Sequence, residues 1–590
     1  MSGAFPAEEP GGGSAHSCDV APSVLAALED EGLVEHGVVT RRGLDALEPY
    51  RVDNAVILAA GMSTRFVPLS YETPKGLLEV CGEILVERQI RQLRSAGVDD
   101  ITVVVGYMAD RFRYLAERFD VRIVENPDYR TRNNNSSLWC VRETLGNTYV
   151  CSSDNYFAGN PFRRFVAGAY YASEYVAGRT EEWCLDLSPD DSIEGVTVGG
   201  GDAWVMLGHV FFDRTFSETF VRILEQEYEE PSTAGKLWEQ IYAEHLPELH
   251  MRAKKYEPGF IHEFDSLDDL ELFDPEFINH VDSPILDHIE SVLGCRRTDI
   301  HDCWPLSEGL TNLSFHFCAA GEEYVYRHPG VGTESMIDRA SETAALVLAR
   351  RLGLDDTFIH EDPAEGWKLS RYIPRARSLD PENPIELRRA MELCRKLHDS
   401  GAVLERSFDF FEESLRYEEL LTQHNSEEVP GFRTLRAKID RIKAHTVADA
   451  FPVCLNHNDF FPLNILVDED QELTLIDWEY AGMSDVTNDL ATFTVCAQLR
   501  DETAEQALRH YHGRAPTFEE RRHFWAYVAL AGWCWYVWAL AKEAQGDDVG
   551  DWLEVYRAFA EDNVDRVLGW YEQSATRPAG IFAVRVLEGV

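Results

Sequence analysis

Three polar residues in the second half of the chain have the types and spacing that transfer of a phosphoryl group requires. Asp459 and Asn464 belong to the run His457 to Asn464, and Asp477 directly follows the apolar run Leu473 to Ile476. The transfer needs a carboxylate to orient the accepting hydroxyl group and oxygen ligands to hold magnesium on the phosphates. We assign the first role to Asp459 and the second role to Asn464 and Asp477.

A β-hairpin is predicted to position these residues. Residues 464–468 and 472–476 each have the pattern of a short strand, and the acidic turn 469–471 joins them. The hairpin would bring Asn464 and Asp477 to one metal site. The alternative is a surface loop with Asp477 as a strand cap. The combined spacing of the three polar residues favours the phosphotransferase interpretation.

The H-x-D-x-x-x-x-N run and the I-D-W-E-Y-A run at Ile476 to Ala481 resemble those of the choline and ethanolamine kinases, in particular the bacterial Lic-type choline kinases. A protein kinase would have Asp-Phe-Gly at the second run. The resemblance implies an α+β protein-kinase-like fold that uses ATP and Mg²⁺, with residues 306–312 as the phosphate-covering turn. It also implies that Arg327, followed by the pattern R-x-P-G-x-G-T, contacts ATP. Glu342 is then its ion-pair partner, and the alternative is an exposed helical glutamate.

The choline site of this half is expected to be aromatic, because a quaternary ammonium group is attracted to ring faces. Trp535 and Trp538 are three residues apart in an apolar run and share one face of a helix. The resemblance places such residues at the choline, together with Tyr480 and the carboxylate of Glu479. The alternative is that the tryptophans belong to a buried core helix.

A second group of residues, near the start of the chain, is suited to binding a nucleoside triphosphate. The apolar strand Asn54 to Ala60 runs into Gly61, and Arg65 and Lys75 follow. A buried parallel strand that ends in a glycine-containing loop presents backbone N–H groups to phosphates. We therefore predict that Ala60 and Gly61 approach the triphosphate and that Arg65 and Lys75 neutralise its charge.

The pattern L-A-A-G-x-x-[ST]-R-F, followed by Pro-Lys, resembles the sugar-phosphate and phosphocholine nucleotidyltransferases. This resemblance implies an α/β fold with a Rossmann-like mixed sheet. The N-N-x-x-S-L pattern at Asn133 to Leu138 resembles the Lic-type cytidylyltransferases that act on CTP and phosphocholine. It implies that Asn134 and Ser137 read the cytosine base, and the alternative for both is helix N-capping.

Two acids that are far apart in the sequence are candidates for a magnesium site in this half. Asp154 follows the strand Tyr149 to Ser152, and Asp265 lies in a segment that resembles the E-x-D-[ST] element of the family. Ser152 stands where the family often has a further acid. The resemblance implies that both carboxylates hold Mg²⁺, which two such oxygen ligands suit. The alternative for Asp265 is a helix N-cap.

Trp183 and Trp238 lie between those two acids and are candidates for the wall of a choline pocket in the transferase half. Their ring faces would attract a quaternary ammonium group. The alternative is that each belongs to the core of an α/β domain.

Composition and charge narrow the class of protein. The 590 residues are 45% hydrophobic and 27% charged, as in globular proteins with more than one domain. A net charge of −48 argues against a nucleic-acid partner. The 12 cysteines form no C-x-x-C pair, so we expect free thiols and no zinc. Without an evident signal peptide or a membrane span, we expect a cytoplasmic enzyme; a homo-oligomer stays open.

We predict four segments. They are a disordered tail (1–17), a partial winged-helix-like module (18–50), a nucleotidyltransferase domain (53–282) and a kinase-like domain (284–590). Seven acids against two bases between Cys18 and Tyr50 favour a packing or dimerisation role for the module over DNA binding.

Together these features predict a bifunctional enzyme that makes CDP-choline. The second half would phosphorylate choline with ATP, and the first half would couple phosphocholine to CTP, each with Mg²⁺. One alternative is the same chemistry on ethanolamine or another amino alcohol, or on a sugar phosphate in the transferase. The other alternative is a choline kinase whose first half is a non-catalytic regulatory or scaffold module.

Overall fold

The structure is a computed structural model that describes residues 21–306, 313–329, 339–423, 429–545 and 549–576. The predicted tail 1–17, the phosphate-covering turn at 307–312 and the residues 330–333 of the R-x-P-G-x-G-T pattern lie outside the described residues. The chain forms two compact units, Met1–Pro305 and Leu306–Val590.

The first unit begins with a small helix–hairpin–helix module, followed by an α/β domain. The module consists of α1 (Pro22–Asp30), β1 (Val34–Glu35), β2 (Val38–Val39) and α2 (Arg41–Leu47). Thr40 caps α2, since its hydroxyl accepts a hydrogen bond from the Gly43 N–H. The domain then contains β3 (Asn54–Ala59), β4 (Glu79–Val80), β5 (Glu83–Ile84), α3 (Leu85–Ser95), β6 (Ile101–Val105), α4 (Tyr114–Phe119), β7 (Arg122–Glu125), α5 (Asn135–Val141), β8 (Thr148–Ser152), β9 (Asn155–Phe157), β10 (Tyr170–Leu187), β11 (Ile193–Phe212), α6 (Arg214–Glu227), α7 (Pro231–Ala234), α8 (Trp238–Glu244), β12 (Arg252–Tyr256), β13 (Ile261–Glu263), α9 (Leu267–Phe273), α10 (Phe277–His280) and α11 (Pro284–Leu293). The next strand, β14 (Ile300–Leu306), belongs to the five-stranded sheet that the following strands form.

Seven strands form one mixed sheet in the order β12-β10-β11-β8-β3-β6-β7. The central strand β3 is parallel to β6 and to β8, whereas β11 runs antiparallel to β8. Alternate residues of β3 face two separate cores: Ala55 and Ile57 pack on the α3 side, and Val56 packs on the α6 side. A strand that is buried on both faces has a continuous run of apolar residues. For this reason β3 could be predicted from the sequence. The mixed α/β sheet confirms the fold class predicted for this half.

Helix α11 packs within the first unit, although the sequence analysis assigned residues from 284 onwards to the kinase-like domain. The Glu72 carboxylate accepts hydrogen bonds from the Ile285 N–H (2.9 Å) and from the Ser283 hydroxyl at the start of the helix. Glu72 lies three residues before Lys75. The hydrogen bonds from the start of α11 to Glu72 therefore fix the position of the loop that carries this lysine.

The second unit combines an antiparallel sheet with a larger helical part. Its elements are β15 (Leu313–Ala319), β16 (Glu322–His328), α12 (Arg339–Leu352), β17 (Phe358–Glu361), β18 (Lys368–Arg371), β19 (Arg377–Ser378), α13 (Pro384–His398), α14 (Phe410–Gln423), α15 (Phe432–Asp449), β20 (Val453–Asn456), β21 (Ile465–Val467), β22 (Leu473–Leu475), β23 (Gly482–Asp485), α16 (Asn488–Cys496), α17 (Asp501–His512), α18 (Phe518–Ala544) and α19 (Trp552–Thr576). Strands β15, β16, β18 and β17 are antiparallel neighbours in that order. The predicted hairpin is present, since β21 pairs with β22 through Ile465 and Leu475. This architecture confirms the α+β fold predicted for the second half.

The 27-residue helix α18 forms the centre of the helical part. It is the one helix among the described residues that is long and apolar enough to cross a membrane, and 94% of its apolar window is buried inside the protein. Apolar residues on all its faces pack against α14, α16 and α19 in a single core. A helix that is apolar all round is typical of the centre of a large core.

Candidate active sites

A cavity of about 1060 Å³ in the first unit collects the residues that the sequence analysis selected there. The loop after β3, with Ala60 and Gly61, lines one side, and Ser153 and Asp154, which follow β8, line another. A side chain at Gly61 would meet no protein atom within 4 Å, so this part of the loop is open for a ligand to approach. Because β3 and β8 are parallel neighbours, their carboxyl ends meet at the same edge of the sheet.

Two ion pairs lie at this edge. The Lys75 ammonium group is 2.9 Å from the Asp154 carboxylate, and the Arg65 guanidinium group is 2.9 Å from that of Asp265. Burial alone would raise the pKa of Asp154, but Lys75 offsets this and holds the pKa below its usual value. The structure therefore brings four predicted residues together from distant parts of the sequence.

A third carboxylate, Glu263, belongs to this cluster and was not assigned a role from the sequence. It ends β13, which pairs with β9 directly after Asp154. Desolvation and the charge of Asp154 raise the pKa of Glu263 to about 8, although its side chain still opens into the cavity. The sequence could have identified Glu263, because it is the first residue of the E-x-D pattern and lies two residues before Asp265.

Asp265 does not cap the helix that follows it. Ser266 occupies the N-cap of α9, and its hydroxyl accepts a hydrogen bond from the Asp269 N–H at 3.2 Å. The Asp265 carboxylate thus remains at the cavity, where it pairs with Arg65.

Asn134 and Ser137 both line the cavity, and neither side chain caps α5. Ser137 is a buried residue in the first turn of α5, and its hydroxyl accepts a hydrogen bond from the Asn126 amide at 3.1 Å. Both polar atoms of the Asn134 side chain contact α8: the carbonyl oxygen accepts from the Trp238 N–H at 2.7 Å, and the amide donates to Glu239 at 3.1 Å. Contact of either residue with a base stays a prediction.

The two tryptophans of this half occupy different environments. Trp238 is 2% exposed and packs against Phe212 and Phe220, as the core alternative expects, while it also stacks on Tyr171 at the cavity wall. Trp183 lies on β10, is half-buried and lines the cavity.

The second site forms where the hairpin of the second unit meets the loop after β20. The Asn464 amide donates to the Asp459 carboxylate at 2.8 Å. Desolvation and the charge of Asp477 raise the pKa of Asp459 to about 7. A carboxylate in this range can accept a proton from a substrate hydroxyl group at neutral pH.

Arg327 lies within ion-pair distance of four carboxylates around this site. Its guanidinium group is 2.7 Å from Glu342, which is fully buried rather than exposed on its helix. The same group lies 3.2 Å from Glu361, 3.5 Å from Asp477 and 3.9 Å from Glu479. Arg327 thus links helix α12 and β17 to the end of the hairpin.

Asp489 positions the loop that carries Asp459 and was not identified from the sequence. This fully buried carboxylate accepts hydrogen bonds from the backbone N–H groups of His457 (2.9 Å) and Asn458 (2.6 Å). The His398 ring lies 3.0 Å from the same carboxylate. No local pattern marks Asp489, since it stands at the start of the apolar helix α16.

The aromatic residues predicted for the choline site lie together. The Tyr480 ring meets Trp535 edge-on with a centroid distance of 5.8 Å, and Trp535 meets Trp538 at 6.2 Å. Both tryptophans are at most 7% exposed, as the core-helix alternative expects. Their indole N–H groups are nevertheless buried without a hydrogen-bond partner among the described residues. The Glu479 carboxyl group is next to this cluster in sequence, and desolvation and Asp477 raise its pKa to about 8.

Comparison with known proteins identifies both halves. Residues 55–181 match the model of the MobA-like NTP transferase domain, and residues 302–524 match the phosphotransferase enzyme family.

Named relatives cover both halves. The choline-phosphate cytidylyltransferase of Streptococcus pneumoniae is 34% identical over 36% of this chain and 94% of its own length. The 2-aminoethylphosphonate cytidylyltransferase of Lancefieldella rimae is 33% identical over 38% of this chain and 93% of its own. Among solved structures, choline kinase LicA from Streptococcus pneumoniae has 25% sequence identity to this chain and a TM-score of 0.42. The match covers 48% of this chain and 100% of the LicA chain. The chain belongs to the family of these bacterial cytidylyltransferases, and its residues 302–524 match the phosphotransferase enzyme family.

Proposed function

We propose that this chain makes CDP-choline in two steps at two active sites. The second unit transfers the γ-phosphoryl group of ATP to the hydroxyl group of choline. The first unit transfers CMP from CTP to the phosphocholine so formed and releases pyrophosphate. The observation that carries this proposal is the meeting of Arg65, Lys75, Asp154 and Asp265 at one cavity, in a chain whose second unit also pairs Asn464 with Asp459.

Magnesium at both sites is part of the proposal. In the first unit one oxygen of Asp154 is buried without a hydrogen-bond partner among the described residues, and Asp265 and Glu263 add hard oxygen donors. In the second unit Asn464 donates through its amide nitrogen, which leaves its side-chain oxygen for a metal. The Ile476 N–H donates to the Asn464 backbone carbonyl at 2.9 Å, so Asp477 directly follows a residue paired with Asn464. These donors fit Mg²⁺, which prefers oxygen ligands and would neutralise the charge of the phosphates.

In the transferase step, a phosphate oxygen of phosphocholine forms a bond to the α-phosphorus of CTP. The bond from that phosphorus to the bridging oxygen breaks, and the electron pair leaves with pyrophosphate. Lys75 and Arg65 are placed to hold the negative charge of the triphosphate and of the leaving group. Catalysis here consists of positioning and charge neutralisation, since no proton has to be removed from the attacking phosphate.

In the kinase step, Asp459 accepts the proton of the choline hydroxyl group as the oxygen forms its bond to the γ-phosphorus. The bond from that phosphorus to the β,γ-bridging oxygen breaks, and its electron pair leaves with ADP. The Asn464 amide fixes the orientation of this carboxylate. Arg327 contacts the phosphates of ATP, and its ion pairs with Glu342 and Glu361 support this role by fixing the guanidinium group.

Choline is the head group that the aromatic cluster of the kinase half suits best. Three methyl groups on nitrogen form no ordinary hydrogen bonds, so selectivity depends on ring faces such as Tyr480 and Trp535 and on the Glu479 carboxylate. The measurement is kcat/KM for choline and for ethanolamine with ATP. We expect a clear preference for choline, and comparable values would indicate a general amino-alcohol kinase.

A second candidate concerns the transferase half alone. Its 33% identity to a 2-aminoethylphosphonate cytidylyltransferase favours a primary-amine phosphonate as an alternative acceptor. The test is pyrophosphate release from CTP with phosphocholine, phosphoethanolamine or 2-aminoethylphosphonate as the acceptor. The proposal expects the highest kcat/KM with phosphocholine.

The cellular location of the enzyme and the boundaries of its two functional domains are also part of the proposal. We infer a cytoplasmic location, which the free thiols of the described cysteines suit, since none of them forms a disulfide. The functional boundaries at 53–282 and 284–590 stay a prediction, with the nucleotidyltransferase first and the kinase second.

A further inference from the structure

Glu239 stands in the cavity of the first unit, on the first turn of α8. Its carboxylate accepts hydrogen bonds from the Asn134 amide at 3.1 Å and from the Tyr171 hydroxyl at 3.5 Å. Both donors are neutral. Among the residues that the structure describes, Asn134 and Tyr171 are its side-chain partners, and no lysine, arginine or histidine forms an ion pair with it.

This carboxylate therefore differs from the two acids at the metal end of the same cavity. Asp154 and Asp265 each have a cation of the protein at 2.9 Å. Burial without such a cation raises the pKa of Glu239 to about 7. Burying a carboxylate without a counter-ion lowers the stability of the folded protein. Such groups cluster at functional sites, where a bound ligand can supply the positive charge.

Aromatic rings surround the position. Tyr171 and Trp238 are stacked with a centroid distance of 5.8 Å and an interplanar angle of 13°, and Trp183 lines the same cavity. Of these rings, that of Trp183 is half-buried and is the one accessible to a ligand, whereas Tyr171 and Trp238 are buried against each other. A ring combined with one carboxylate binds an ammonium group, because both attract the cation and neither requires an N–H donor.

We propose that Glu239 is the specificity-determining residue for the cationic head group of the transferase substrate. This inference rests on the proposed cytidylyl transfer and adds to it the group that recognises a positively charged amino-alcohol phosphate. The phosphate end of the substrate then lies toward Lys75 and the acids at the metal end.

Asn134 is the positioning residue for this carboxylate. Its amide donates to Glu239, and its carbonyl oxygen accepts from the Trp238 N–H, so both polar atoms hold the start of α8. Asn134 thus acts on the head group through Glu239, which differs from the base-reading role predicted from the sequence.

The test uses the full-length chain with CTP and two acceptors: phosphocholine, and 3,3-dimethylbutyl phosphate, in which carbon replaces the charged nitrogen. Pyrophosphate release gives kcat/KM for each acceptor, and their ratio measures the preference for the charge. Glu239→Gln should reduce this ratio about tenfold, as expected for the loss of one charge contact, and leave the KM for CTP unchanged. Glu244→Gln, on the same helix but paired with Lys236 near the surface, is the matched control and should keep the wild-type ratio.

Asn134→Ala separates positioning from base recognition. A lower charge preference with an unchanged KM for CTP supports the positioning role, whereas a raised KM for CTP with an unchanged preference overturns it. A wild-type preference in Glu239→Gln overturns the assignment of Glu239. Thermal unfolding of the same samples, compared with the wild type, reports that the first unit of each variant is folded. A wild-type chain that releases pyrophosphate with neither acceptor would instead refute the proposed cytidylyl transfer.

Discussion

Each proposed active site depends on a carboxylate whose charge is controlled by its neighbours. Lys75 keeps the pKa of Asp154 low, so this group stays ionised, as a metal ligand must be. Desolvation and Asp477 raise the pKa of Asp459 to about 7, where it can take up a proton. The same residue type thus serves two different purposes because its surroundings differ.

Asp459→Asn should lower choline phosphorylation by about 10²- to 10⁴-fold, because asparagine cannot accept the hydroxyl proton. Phosphocholine-dependent CTP turnover by the same protein should stay at the wild-type rate. The measurement is ADP formation beside pyrophosphate release. Asp470→Asn, which changes an exposed acid on the turn of the hairpin, is the control and should retain both activities. Loss of both activities in a folded Asp459→Asn protein would contradict the assignment of two separate sites.

Asp154→Ala and Asp265→Ala should each lower pyrophosphate release from CTP and phosphocholine by on the order of 10²-fold or more, because the triphosphate charge is left uncompensated. Choline phosphorylation should remain near normal, because it uses Asn464 and Asp477. Wild-type rates in both variants would refute the magnesium assignment.

At the scale of elements, the hairpin β21–β22 and the strand β3 could be predicted because their signals are local. Alternating or continuous apolar residues mark the strands, and the polar residues stand directly at their ends. Glu239 and Asp489 could not be predicted in this way. The Asn134 partner of Glu239 is 105 residues away in sequence, and Asp489 contacts backbone groups of a loop about thirty residues earlier. Such roles exist only after the chain has folded.

A buried histidine joins four elements of the second unit. The His523 ring on α18 lies 3.0 Å from Asp449, at the end of α15, and 3.0 Å from Asp485, at the end of β23. Arg522 and the Tyr571 hydroxyl of α19 also contact Asp449. Burial alone would lower the pKa of His523, but the two carboxylates raise it above 6.5.

The stability that this cluster contributes should depend on pH. Because the folded-state pKa is raised, the contribution is fully present below pH 6.5 and is lost as the pH rises through the raised value. His523→Gln should lower the free energy of unfolding by about 3–5 kcal/mol at the lower pH, since Asp485 loses its cation and Asp449 keeps only Arg522. Urea unfolding of wild type and variant on either side of the raised pKa measures this. A difference that grows with pH would contradict the account.

At the scale of the whole molecule, each unit has its own hydrophobic core and its own proposed active site. The sequence motifs were sufficient to predict both folds. They were not sufficient to place helix α11, because its packing depends on the contact between Glu72 and residues 283–285, which are remote in sequence. If the proposed function holds, one chain carries out both steps, and the phosphocholine made by the second unit is the acceptor for the first unit.

The most direct test of this account is to incubate the full-length chain with choline, ATP, CTP and Mg²⁺ and to identify the products by mass. We predict ADP, pyrophosphate and CDP-choline. With Asp459→Asn, CDP-choline should form only when phosphocholine is added. Accumulation of phosphocholine without consumption of CTP would contradict the two-step account and would leave the first unit without its proposed reaction.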